Sequence, residues 1–140
     1  MGHAIARQLQ TLGLQPVSAL NGRSVRTRAL AATAGIVDVG NLARLTECDV
    51  ILSVMNPGSA LQFARDLAAM IKRTGCKPLV VDCNAIAPDT MHAVRDVIEA
   101  SGASCVDGAV MGPPPPRHHD CLFPASTHIN SGHWRQSNSA

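Results

Sequence analysis

The chain has 140 residues, enough for one domain with a hydrophobic core. Hydrophobic residues make up 46% of it, which is typical of a globular protein rather than a disordered one. The aromatic content of only 2% indicates a core built from aliphatic side chains, which suits helices laid on a parallel sheet. The net charge of +2 is too small to predict binding to nucleic acid or to an acidic membrane.

The cysteines and the apolar runs bear on where the protein works. The five cysteines include no C-x-x-C pair, which favours a reducing compartment over a disulfide framework or a zinc site. No apolar run is long enough to span a bilayer, and the N-terminus shows no signal-peptide pattern. We therefore expect a cytoplasmic protein.

Helix and strand signals alternate through the first part of the chain. Apolar residues recur at helical spacing up to Gly13, and the short apolar run after Pro16 closes at a turn-forming Asn-Gly pair. Ser24 is placed to cap the next helix, which Gly35 ends. The pattern predicts helices over 3–12, 25–34 and 41–47 and strands over 16–20 and 36–39.

The alternation continues through the second part. Residues 50–55 are apolar apart from Ser53, which predicts a buried parallel strand. An Asn-Pro-Gly break follows, and Ser59 is placed to cap the helix after it. The pattern predicts strands over 50–55, 79–83 and 103–106 and helices over 60–73 and 89–100, the second with Pro88 in its first turn.

Strict alternation of short elements defines the expected fold class, α/β. It predicts a parallel sheet with helices on both faces, and the doubly wound Rossmann-type arrangement is the commonest topology of this kind. We assign residues 1–112 to one domain of this type and 113–140 to a Pro-, His- and Ser-rich tail, which we expect to be disordered. The tail contains four histidines that could act as metal ligands: His118, His119, His128 and His133. No predicted helix or strand would hold them in place, so disorder is favoured over a metal site.

Five segments at successive predicted turns are similar to motifs of one family. Residues 1–6 resemble the end of a G-x-G-x-M-G turn and its helix, and 23–24 and 54–57 follow two strands. Residues 82–88 are similar to a D-x-N-A-x-x-P variant of D-x-S-T-x-x-P, and 107–112 to D-A-P-V-S-G-G. Together they resemble the nucleotide-binding domain of the 3-hydroxyacid and 6-phosphogluconate dehydrogenase superfamily.

The resemblance implies a dinucleotide site at these turns. Arg23 and Ser24 would bind a 2′-phosphate, so NADP is the expected cofactor and NAD the alternative. The other implied cofactor-binding residues are Gly2 at the pyrophosphate, Met55, Asn56 and Pro57 beside the nicotinamide ribose, and Asn84 between cofactor and substrate. Plainer interpretations stay open: a solvated Arg beside a helix cap, a strand-to-helix turn, and an Asn that satisfies loop backbone.

The same resemblance implies an activity for a whole protein of this family. Its members transfer hydride between a hydroxyacid carbon and nicotinamide, and a helical second domain closes the site and usually dimerises. Met111 stands where the family has a Ser that contacts the substrate carboxylate, so the identity of the substrate stays open.

Compared with the family pattern, the chain begins after the first, central strand and ends before the helix that carries the general acid/base Lys. Lys72 and Lys77 lie elsewhere. The strands on either side of the missing one would have unpaired backbone groups, each costing about 1–3 kcal/mol if buried. We expect a catalytically inactive fragment, unless the strands close up or another segment fills the slot. The alternatives are a non-catalytic nucleotide-binding or interaction module and a non-functional truncated product.

Overall fold

A computed structural model describes residues 1–108 and residue 110 of the chain. Helices and parallel strands alternate along it as expected for the α/β class. The helices are α1 Gly2–Thr11, α2 Val25–Thr33, α3 Leu42–Leu45, α4 Ala60–Thr74 and α5 Pro88–Glu99. The strands are β1 Val17–Ser18, β2 Val37–Asp38, β3 Val50–Ser53, β4 Leu79–Asp82 and β5 Ser104–Asp107. The predicted tail, 113–140, lies outside the described residues.

Two predicted helix caps have different outcomes. Ser24 is the N-cap of α2, where its hydroxyl accepts a hydrogen bond from the Thr27 N–H (3.2 Å). Ser59 occupies the N-cap position of α4 as predicted, but its side chain makes no capping hydrogen bond. The reason is that the chain enters α4 through a 3₁₀ turn, Pro57–Ser59, which Asn56 caps by accepting from the Gly58 N–H.

The main hydrophobic core lies where α4 and α5 pack against a three-stranded sheet of order β3-β4-β5. Leu67, Ile71 and Ile98 are almost completely buried in it, and Val80 joins them from the central strand. The register pairs Val50 with Leu79 and Leu79 with Ser104, all in parallel. α4 ends where Gly75 adopts a left-handed conformation (φ 74°), which glycine accepts without strain.

A second, smaller sheet holds β1 and β2, which pair in parallel through two residues each. β1 and β3 do not pair with each other, so the strands have not closed up, and no described strand lies between the two sheets. This division agrees with a Rossmann-type order that lacks its central strand.

The predicted burial of strand 50–55 is wrong on one face. Ile51 and Ser53 point into the core, whereas Val50 and Leu52 are 50% and 39% exposed. Side chains alternate between the two faces of a strand, and the second face is less completely covered than the first. Among the described residues, no helix is long and apolar enough to cross a membrane.

The core predicts that a buried leucine contributes more to stability than an exposed one. Changing Leu67, which is 0% exposed, to Ala should lower the free energy of unfolding by about 2–5 kcal/mol, because it removes buried methyl groups and leaves a cavity. Changing Leu14, which is 56% exposed, to Ala should cost less than about 0.5 kcal/mol. Urea unfolding followed by circular dichroism measures both. Equal losses for the two variants would contradict this placement of the core.

Candidate functional site

The carboxyl ends of the three parallel strands in the larger sheet present a row of polar residues. Ser53, Asp82 and Asp107 end β3, β4 and β5 and stand opposite one another in the register. Ser53 and Asp82 are buried, whereas Asp107 is exposed. Open α/β sheets bind their ligands outside this edge, so the loops that follow these residues form the candidate site.

Asn84 connects the loops after β3 and β4. Its Oδ1 accepts a hydrogen bond from the Met55 N–H (2.7 Å), and its Nδ2 donates to Ser53 Oγ (2.9 Å) and to Asp82 Oδ1. The Asn84 N–H also donates to Asp82 Oδ1 (2.9 Å). The predicted site residues Met55 and Asn84 are therefore in direct contact, although 29 positions separate them in the sequence.

Asp82 is the centre of this group, and sequence reasoning assigned no role to it. Its side chain is 1% exposed, and its second oxygen, Oδ2, has no hydrogen-bond partner among the described residues. Asp82 and Ser53 border a cavity of about 10 Å³ whose other walls are apolar, which is about the volume that one water molecule requires. The D-x-N spacing was a usable signal, because an Asp side chain commonly accepts from the backbone N–H two residues later.

The rest of the predicted nicotinamide loop lies at the surface. Asn56 and Pro57 are exposed, and the Asn56 side chain accepts from the Gly58 N–H (3.0 Å). Met55 is half-buried where the loop leaves β3. The loop therefore has one fixed end, at Met55, and an exposed apex.

The end of β5 closes against β4. The Gly108 N–H donates to the Asp82 carbonyl (2.7 Å), and a Cβ at Gly108 would lie only 2.8 Å from Val81 Cγ1. A larger residue at this position would therefore require the Val81 side chain to shift. The rest of the predicted substrate loop, apart from Val110, lies outside the described residues.

The predicted 2′-phosphate residues lie in the loop between β1 and α2. Arg23 is exposed, and the Ser24 hydroxyl caps α2 as described above. Asp38, at the end of β2, organises this loop by accepting from the Leu20 N–H (3.0 Å) and the Gly40 N–H (2.8 Å). The hydrogen bonds from Gly40 and then Leu20 hold the pKa of Asp38 below its usual value of 3.8.

Gly2, the residue predicted to lie at the pyrophosphate, is the first residue of α1. A Cβ built on Gly2 would have nothing within 4 Å in the described structure, so close helix–strand packing does not require glycine here. In the first turn of α1, the N–H groups of Ala4 and Ile5 already donate to the Met1 carbonyl (2.8 and 3.2 Å). In the described part of the chain, no hydrogen bond links Gly2, Arg23 or Ser24 to the Asn84 group.

Charge is distributed unevenly over these loops. Burial raises the pKa of the Cys83 thiol, and the nearby Asp82 and Asp107 carboxylates raise it further. The loop and helix after β1 instead carry Arg23, Arg26 and Arg28. Phosphate groups therefore suit the β1 side, and an uncharged group or hydrogen-bond donor suits the β4–β5 side.

No site for a metal ion is found in residues 1–108, since no group of three or more His, Cys, Asp or Glu could hold one there. The four histidines weighed as metal ligands in the sequence lie outside the described residues.

Comparisons with other proteins agree with the fold. The solved structure of a conserved hypothetical protein from Sinorhizobium meliloti 1021 is similar, with a TM-score of 0.69 and 25% sequence identity. The match covers 83% of this chain but 40% of that protein, so the chain spans less than half of its length. No protein-family model and no curated protein sequence matches the chain. The similar protein is itself described as hypothetical, so the similarity concerns the fold.

Asp38 makes the stability of the β1–β2 region dependent on pH. Because its pKa is lowered in the folded chain, its contribution is present above the usual value of 3.8 and is lost as the pH falls through the lowered value. The difference in unfolding free energy between the wild type and Asp38→Asn should therefore shrink as the pH falls from about 7 to about 3. Urea unfolding across this range measures it. A difference that does not change with pH would show that the Asp38 charge contributes nothing.

Proposed function

We propose that the chain is the NADP-binding domain of a cytoplasmic oxidoreductase of the 3-hydroxyacid and 6-phosphogluconate dehydrogenase superfamily. The observation that carries the proposal is the contact between Met55 and Asn84, two residues of different family motifs, at the carboxyl ends of adjacent parallel strands. Ligands bind at this edge in open α/β sheets. The whole protein would act on the CH–OH group of a hydroxyacid and form a homo-oligomer.

The residues present fit the phosphate-bearing half of the cofactor. Arg23 is exposed and has no salt bridge within residues 1–108, so its guanidinium is available to a 2′-phosphate. Ser24 lies beside it at the N-terminus of α2, where the helix dipole favours negative charge. Asn21-Gly22 follows the strand end where an NAD site usually has an acidic residue, which makes NAD the alternative rather than the expected cofactor.

The loops after β3 and β4 fit the nicotinamide half. The loop residues Met55, Asn56 and Pro57 lie beside the buried Asn84, next to the strand ends that carry Asp82 and Asp107. These residues bind and orient; the bound nicotinamide would supply the hydride chemistry.

Proton transfer requires residues at the same edge of the sheet, and the lysines are not there. Lys72 is in the last turn of α4 and Lys77 is in the segment that enters β4, which places both near the amino ends of the strands. In our proposal this chain binds cofactor, and the general acid/base belongs to the remainder of the whole protein.

Titration with NADPH and NADH tests the proposal. The wild type should bind NADPH more tightly than NADH, and Arg23→Ala should weaken NADPH binding about tenfold or more while leaving NADH binding unchanged, because a charge-assisted hydrogen bond is lost. Arg73→Ala is the matched control, since it removes an exposed Arg from the last turn of α4 and should change neither affinity. A preference for NADPH that survives Arg23→Ala would refute the 2′-phosphate site.

A second candidate, a non-catalytic interaction module, is favoured by the free edge of β3. The backbone hydrogen bonds from β3 to β4 use Asp49, Ile51 and Ser53, so the N–H and C=O groups of Val50 and Leu52 point away from β4. The side chains of Val50 and Leu52 are also exposed. Such an edge can accept a strand from another chain. Light scattering at increasing concentration separates the candidates: association without binding of either nucleotide favours the module, and a monomer that binds NADPH favours the cofactor domain.

A further inference from the structure

The side chain of Asn84 uses nearly all of its hydrogen-bonding capacity inside the protein. Both hydrogens of its Nδ2 are engaged, one by Ser53 Oγ and one by Asp82 Oδ1, and its Oδ1 already accepts from the Met55 N–H. The residue is also only 9% exposed. No amide N–H is left to present to a bound molecule.

We propose that Asn84 is a positioning residue: it holds the loop 54–58 in its binding conformation and does not itself contact the cofactor. The inference rests on the proposed function only for the identity of the ligand. The holding of the loop stands on the hydrogen bonds themselves.

The loop needs this support because the strand ladder ends just before it. The last backbone hydrogen bond between β3 and β4 runs from the Cys83 N–H to the Ser53 carbonyl (2.9 Å). Beyond that point the Asn84 side chain takes the place of the ladder and accepts from Met55. The next residues offer little further anchorage, since Asn56 is exposed and bonds within its own turn, and Pro57 has no N–H.

Asp82 determines which way the Asn84 amide faces. One carboxylate oxygen, Oδ1, accepts from both the backbone N–H and the Nδ2 of Asn84. Because the Asn84 Nδ2 donates to Asp82 and to Ser53, the Asn84 Oδ1 must face the Met55 N–H. Reversing the amide would place oxygen against oxygen at Asp82 and nitrogen against nitrogen at Met55, so only one orientation satisfies all the partners.

Hydrogen exchange at the Met55 amide, followed by NMR, tests the holding role without any cofactor. The Met55 N–H should be protected in the wild type, and Asn84→Ala should reduce its protection about tenfold or more relative to amides of the core strands. Asn41→Ala is the matched control: Asn41 also accepts from a backbone N–H, that of Arg44, but at the start of α3. It should leave the Met55 amide unchanged.

Titration with NADPH on the same variants tests the consequence for binding. Asn84→Ala should weaken NADPH binding about tenfold, in parallel with the lost protection, and Asn41→Ala should not. Weaker binding with unchanged Met55 protection would mean that Asn84 contacts the cofactor directly, which overturns the inference. Lost protection with unchanged affinity overturns it as well.

The conservative variant Asn84→Asp gives a signature that a general loss of stability would not. This variant keeps the oxygen that accepts from the Met55 N–H, but it replaces the two N–H donors of the amide with a carboxylate oxygen that faces Asp82. The protection of the Met55 amide should therefore be low at about pH 8. It should recover at about pH 5, because protonation of a carboxylate restores one donor. The wild type should show no such recovery, and absence of recovery in the variant would contradict the orientation by Asp82.

If Asn84→Ala does not fold, Ser53→Ala tests the same hydrogen bonds. It removes one acceptor of the Asn84 amide and leaves the contact with Met55 in place. It should lower the protection of the Met55 amide by a smaller factor, and unchanged protection overturns the inference. If the wild type binds neither nucleotide, the proposed function fails, while the holding role is still decided by the protection of the Met55 amide alone.

Discussion

The parallel register of β3, β4 and β5 is the constraint on which the rest of the structure depends. It places Ile51 and Val80 in the core and brings Ser53, Asp82 and Asp107 to one level at the carboxyl edge. A slip of one residue in β4 would turn its side chains to the opposite face, exposing Val80 and separating Asp82 from Ser53. The packing of α4 and α5 therefore determines the polar site as well as the core, because both depend on the same pairing.

The two sheets contribute unequally to this arrangement. Most of the large buried side chains belong to β3–β5 with α4 and α5, whereas the smaller part buries Leu20 and, within α2, only Ala31. The smaller part is held by individual polar contacts, such as those of Asp38 with Leu20 and Gly40 and of Gln10 with the Gly35 carbonyl (2.8 Å). A ligand that contacts both parts would stabilise the folded state by its binding free energy.

The sequence predicted the elements better than their surroundings. Ser24 could be identified as a helix cap because capping is local, and the strands could be identified because their apolar runs are short and bounded by turns. The exposure of Val50 and Leu52 could not, because it depends on what covers the second face of the sheet and not on the residues themselves. The position of Ser59 at the N-cap of α4 could be predicted, but the missing side-chain hydrogen bond could not, because a 3₁₀ turn leads into the helix.

The site shows the same division. The contact between Asp82 and the Asn84 N–H spans two residues and follows from a local pattern, whereas the contact between Asn84 and Met55 spans 29 and depends on strand register. The type of side chain at position 84 also matters. A Ser there, as in the D-x-S-T form of the motif, has a single O–H and could not donate to both Asp82 and Ser53 while accepting from Met55. Asparagine supplies the second donor, so the D-x-N-A form can tie the loop after β3 to two buried groups at once.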